Sequence, residues 1–132
     1  MRFVGTSFWV ALQFRRDQHH DVARVLWRDS TQALLTTNHV LGETWTFLGR
    51  RAGHAAAQIF VDAAAQSGRL TIHHVDEHAE AEAWDWLRRH DERPYSFVDA
   101  TSFFTMRRFR LTEAFAFDDD FAAAGFVEVR PT

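Results

Sequence analysis

Four acidic positions hold the chemistry this sequence could perform: Glu43, Asp99, Asp118 and Asp120. None is diagnostic alone. Glu43 lies three residues beyond Val40 and four before Phe47, beside the apolar stripe of a helical pattern. Asp99 follows Ser96 by three residues, the spacing at which an acid completes a capping box and meets the helix dipole. Asp118-Asp119-Asp120 comes directly after an apolar strand-like run, and Asp118 is suited to cap the helix that follows. What unites them is position, since each stands at the start of a helix following, or one turn beyond, the same sheet edge. In open α/β sheets that edge is where ligands bind. Carboxylates gathered there repel and raise one another's pKa unless a cation neutralises them. A hard divalent ion with oxygen ligands does so.

The elements that must position these acids alternate along the chain. Phe3-Val4 reads as a short central strand that breaks at Gly5, after which Thr6 or Ser7 can cap a helix through Leu12. Val22 to Arg28 has helical spacing, and Ala33-Leu34-Leu35-Thr36 reads as a second strand. Thr37-Asn38 can cap a helix from His39 to about Arg51, and alanine-rich Ala55 to Ala65 is helical by propensity. Leu70 to Val75 alternates as a third strand, and Asp76 opens a helix to about His90. Asp91 to Tyr95 is a loop, and Ser96 caps a helix from Phe97 to about Arg108. Ala114 to Phe117 is a fourth strand, Asp118 starts a short helix ending at Gly125, and Phe126 to Val129 is a last strand. Strands separated by helices pair in parallel, so the expected fold is a single α/β domain over 1–132, a three-layer α/β/α sandwich with a mainly parallel sheet.

Composition narrows the function further. The chain has 132 residues, is 46% hydrophobic and contains no cysteine, so it can bury one core and has no thiolate chemistry or disulfide framework. Arginines or aspartates interrupt every apolar run, and neither a membrane span nor a signal peptide is expected; the expected location is the cytoplasm. A net charge of −3 argues against an indiscriminate nucleic-acid binder. Yet all 15 basic residues are arginine, several in pairs such as Arg15-Arg16 and Arg50-Arg51, which suits bidentate phosphate contacts as well as solvated helix ends. His73, His74 and His78 lack the spacing of a zinc site, and the five tryptophans are expected to fill the core and a dimer seam.

Four blocks in order, Val4-Gly5-Thr6-Ser7-Phe8, Asn38-His39-Val40-Leu41-Gly42-Glu43-Thr44, Tyr95-Ser96-Phe97-Val98-Asp99-Ala100 and Phe117-Asp118-Asp119-Asp120-Phe121, give the chain a resemblance to the PIN-domain family. More narrowly, it resembles VapC toxins of type II toxin–antitoxin pairs. The resemblance implies a Mg2+- or Mn2+-dependent endoribonuclease toxin that halts translation by cutting transfer RNA or the sarcin–ricin loop of ribosomal RNA. It also implies a homodimer and a VapB-type antitoxin, with DNA contacted only through that antitoxin. By the same resemblance Asp99 and Asp118 would bind metal, with Asp120 a second candidate beside Asp118. Glu43 would orient or deprotonate the attacking water, and Thr6 or Ser96 hydroxyls would steady the carboxylates from behind.

One departure stands out: the family's first acid is an aspartate ending the first strand, and here that metal-ligand position is Gly5. The expectation is an inactivated or strongly weakened nuclease. The alternative is a non-catalytic PIN-like module that keeps the fold to bind an antitoxin or RNA. For either reading, replacing Arg15-Arg16 or Arg50-Arg51 by alanine should weaken RNA binding and lower the slope of log K against log salt by roughly one to two. Filter-binding titrations across salt check this, and an unchanged slope assigns the pairs to solvated surface.

Overall fold

A computed structural model describes residues 1–132. Its strands are β1 (Arg2–Val4), β2 (Leu34–Thr37), β3 (Leu70–His73), β4 (Glu113–Phe115) and β5 (Val127–Glu128). The helices are α1 (Thr6–Gln13), α2 (His20–Asp29), α3 (Asn38–Arg51), α4 (His54–Gln66), α5 (Glu77–Arg89), α6 (Phe97–Arg108) and α7 (Asp120–Ala123). The strands form one sheet in the order β3-β2-β1-β4-β5, and every pairing is parallel. The sheet expected to be mainly parallel is therefore wholly so.

Strand order explains where a site must lie. From β1 the chain builds outward through β2 to β3, then returns to β1's other side for β4 and β5. The order reverses between β1 and β4, so the crevice at their carboxyl ends is the topological switch point. Gly5 follows β1 and Asp118 lies just beyond β4, which places both at that crevice. The Gly5 N–H donates to the Phe115 carbonyl at 3.0 Å, locking the two strand ends together.

Aromatic packing holds this frame. Phe3, Phe8, Phe60, Phe103 and Phe115 are completely or almost completely buried. Phe8 stacks on Phe115 at 4.7 Å, while Phe103 meets Tyr95, Trp86 and Phe121 edge-on. Trp9 belongs to this core as expected, with its indole N–H directed at Thr36 Oγ1, but Trp84 departs from that expectation. It is 49% exposed and lies flat against Phe97, outside the core.

Helix starts follow local chemistry at α3, α5 and α6. Thr37 accepts from Val40 N–H at the head of α3, and Asp76 accepts from Ala79 N–H at the head of α5. Ser96 and Asp99 form the complete capping box at the head of α6. Two expectations fail. Neither Thr6 nor Ser7 caps α1, because Gly5 occupies the N-cap position and the Ser7 hydroxyl is used elsewhere. Asp118 does not cap α7, because the chain first passes through Asp119 with φ of +66°.

Removing the ring at the centre of the aromatic cluster is expected to leave a cavity that the parallel sheet cannot collapse around. Phe103→Ala should cost about 3–5 kcal/mol in urea unfolding with an unchanged m-value. A loss below about 1 kcal/mol would show the cluster to be dispensable.

Candidate metal centre

The site is assembled by hydrogen bonds that fix carboxylates at the switch point. In the α6 capping box the Asp99 N–H donates to Ser96 Oγ at 2.9 Å, and Asp99 Oδ2 accepts from the Ser96 N–H at 2.9 Å. Asp99 is thereby held with one oxygen engaged. Asp118 Oδ1 accepts from the Asp120 N–H at 3.2 Å, forming a tight turn rather than a helix cap. Oxygens of Asp99, Asp118 and Asp120 all converge within 4.8 Å of one another.

Electrostatics record the crowding. Burial, with added repulsion from Asp120 and Glu43, pushes the Asp99 carboxyl up to about 6 against the Ser96 N–H hydrogen bond that favours its charged form. Desolvation, followed by repulsion from Asp120, Asp99 and Glu128, pushes Asp118 up to about 7. Asp118 is the more open to solvent of the two, so water screens it better.

The remaining sequence candidates divide. Glu43 is exposed on α3 and stands outside the convergent trio, close enough to raise Asp99 but not to share its ligand position. It opens instead onto a surface depression of about 390 Å³ with Thr46, Phe47, Arg50 and Arg51. Thr6 Oγ1 is buried with no hydrogen-bond partner beside the switch point. His73, His74 and His78 are not part of this convergent group.

Gly5 is buried, and its φ of −95° is open to any residue, so its backbone does not call for glycine. Its surroundings do. A Cβ built there would meet the Phe121 ring at 3.0 and 3.1 Å, so a larger residue requires that ring to yield by a few tenths of an ångström. Glycine here is matched to Phe121, a reason the strand-turn pattern alone does not contain.

Three positioning groups lie outside the sequence candidates. Ser7 Oγ accepts from the Phe117 N–H at 2.9 Å, pinning the residue before Asp118 to the start of α1. Glu128 does for α7 what Asp119 cannot: its two carboxylate oxygens accept from the N–H groups of Asp119 and Ala122 at 3.3 and 3.1 Å. Its side chain is only 4% exposed and is joined by Arg130. Arg93, in the loop before α6, donates to Asp120. The only trace of these in the sequence is residue type, a hydroxyl after a strand and charges in an edge strand and a loop.

An all-oxygen donor set and two carboxyls whose pKa values are raised by burial and by neighbouring acids suit a hard divalent cation. Residues 2–127 match the family described as PIN domain. The chain belongs to the PIN-domain family. Over 131 residues, 99% of each chain, this PIN domain is 54% identical to the proteins named 23S rRNA-specific endonuclease VapC20 in Mycobacterium tuberculosis strains CDC 1551 / Oshkosh and ATCC 25618 / H37Rv. The crystal structure of Mycobacterium tuberculosis VapC20, described as a sarcin-ricin loop cleaving toxin, aligns with a TM-score of 0.95 at 53% identity, covering 99% of this chain and 100% of that one. The PIN domain is thus of the VapC toxin type and an endoribonuclease by homology, and PIN nucleases are metal-dependent.

The raised carboxyls carry a stability consequence with a definite sign. An acid whose folded pKa exceeds its unfolded value near 3.9 binds more protons when folded, so its contribution falls as pH rises from about 4 to about 7. In metal-free buffer, Asp99→Asn and Asp118→Asn should each raise Tm at pH 7.5 and do so less at pH 5. Equal shifts at both pH values in a thermal-denaturation series would contradict the crowding.

Proposed function

We propose that this VapC-type PIN domain is an endoribonuclease toxin acting on the sarcin–ricin loop of 23S ribosomal RNA, with its cleavage impaired by Gly5. The observation that carries this reading is the convergence of Asp99, Asp118 and Asp120 within 4.8 Å at the β1/β4 switch point. Identity of 54% to a 23S rRNA-specific endonuclease supports the choice of RNA over other phosphodiesters, and of ribosomal over transfer RNA.

Asp99 and Asp118 would hold Mg2+ or Mn2+, which when bound lowers the pKa of water and offsets charge developing on the phosphate. Glu43, exposed at the rim, would orient the attacking water or accept its proton. Arg50 and Arg51 share Glu43's depression and would contact phosphates flanking the scissile bond. Arg15 lines a separate cavity with Arg24 and Arg28, so Arg50-Arg51 is the pair expected to matter for cleavage. Ser96 steadies the acid edge through its capping box with Asp99, and the unpartnered Thr6 hydroxyl would join it once the site is filled. Cleavage would leave 5′-phosphate and 3′-hydroxyl ends.

The biological setting follows from the toxin type: a VapB-type antitoxin covering the acid edge, a homodimeric toxin, DNA contacted only through the antitoxin, and action in the cytoplasm where ribosomes are. No helix is long and apolar enough to cross a membrane.

Gly5 removes one carboxylate from the family's set, and this is the ground for impairment. A second reading, a non-catalytic module that binds antitoxin or RNA, is favoured by the close fit of Phe121 over Gly5. Gly5→Asp separates them. It should cost about 1–3 kcal/mol of stability as Phe121 yields, yet raise Mn2+-dependent cleavage of ribosomal RNA at least about a hundredfold. Equal cleavage by both chains, each verified as folded by circular dichroism, would refute impairment at position 5.

A further inference from the structure

Within the acidic trio the members differ in what already neutralises them. Arg93 Nε and Nη2 both donate to Asp120 Oδ1, at 3.0 and 2.9 Å. Nη2 also donates to the Asp118 carbonyl at 3.5 Å. A single guanidinium therefore spans the side chain of one acid and the backbone of another, tying the loop before α6 to the turn between β4 and α7. Asp99 and Asp118 have no such cation.

This pair differs from the chain's ordinary surface bridges. Arg28–Asp29 and Arg88–Asp85 join side chains that are 60% exposed or more, whereas Asp120 is 21% exposed and Arg93 37%. Less water screens the contact, and Asp120 carries a fixed positive neighbour beside the position a divalent ion would take. An ion that recruited Asp120 would have to share its carboxylate with a guanidinium that cannot lose its proton.

We propose that Arg93 is a positioning residue that withholds Asp120 from the metal, leaving Asp99 and Asp118 as the ligand pair and lowering the site's affinity for divalent ions. The proposal rests on the reading that Asp99 and Asp118 hold the ion. Asp120 then acts through its turn: its N–H holds Asp118 Oδ1, and Arg93 holds Asp120. The guanidinium sets both the shape of that turn and the charge beside it.

Calorimetric Mn2+ titration of this chain and of its Gly5→Asp form tests the assignment, with each carrying Arg93→Ala, Arg93→Lys, Arg93→Ala with Asp120→Asn, or Asp99→Asn. Removing a unit charge about 6 Å from a divalent ion is expected to tighten Mn2+ binding about tenfold in Arg93→Ala, even at the dielectric of water. The gain should vanish when Asp120→Asn is added, because the double variant removes the positive charge together with the carboxylate that it had withheld. Arg93→Lys keeps the charge and should stay within about threefold of its parent. A merely structural role for Arg93 would lower Tm without tightening Mn2+ binding. Unchanged or weaker binding in Arg93→Ala, with binding abolished by Asp99→Asn, overturns the proposal alone. Binding that survives Asp99→Asn, or no Mn2+ binding in any variant, overturns the metal-site reading and the proposal with it.

Discussion

Burial of the Asp99 and Asp118 carboxyls beside the charge of Asp120 is the constraint on which this end of the molecule depends. The sheet order sets it up by bringing the carboxyl ends of β1 and β4 side by side, and α6 completes it by starting beside them. Each acid is then denied an easy escape. Ser96 grips Asp99 from both directions, Ser7 anchors the residue before Asp118, and Glu128 fixes the turn from beyond. A fold spends stability to hold like charges together only where something else relieves them, and an oxygen-liganded cation supplies that relief.

Position 5 shows how the core and the site share one boundary. The residue after β1 lies at the carboxyl end of the strand, and a Cβ there would meet the Phe121 ring, which itself packs on Phe3 and Phe103. With glycine there, Phe121 closes onto the backbone and the site has one potential ligand fewer. With a side chain there, the ring must retreat before a carboxylate can reach the crevice. Restoring chemistry and disturbing packing are thus the same substitution, which is why a measurement of stability must accompany any measurement of cleavage.

Much of this was readable from local pattern. Alternating apolar runs locate the strands to within a few residues, and Ser96-x-x-Asp99, Thr37 and Asp76 mark helix starts because the donor and acceptor of each cap lie three residues apart. What escaped has partners beyond the spacing of a helix cap. Glu128 caps α7 from a strand that follows it, Ser7 serves Phe117 across 110 positions, and Arg93 reaches Asp120 across 27. Asp118 looked like a cap because nothing in an Asp-Asp-Asp run says that the middle residue adopts a positive φ. Gly5 shows in the sequence only as a break after the first strand, because the Phe121 ring arrives from the other end of the chain.

The most direct test is sequencing of the RNA ends produced on intact ribosomes and transfer RNA by the Gly5→Asp chain in Mn2+, beside Gly5→Asp combined with Asp118→Asn. The predicted result is a single cut in the sarcin–ricin loop bearing a 5′-phosphate, lost in the combined variant. No cut by the folded Gly5→Asp chain, or the same cut in both, would contradict the assignment of these carboxylates to metal-dependent RNA cleavage.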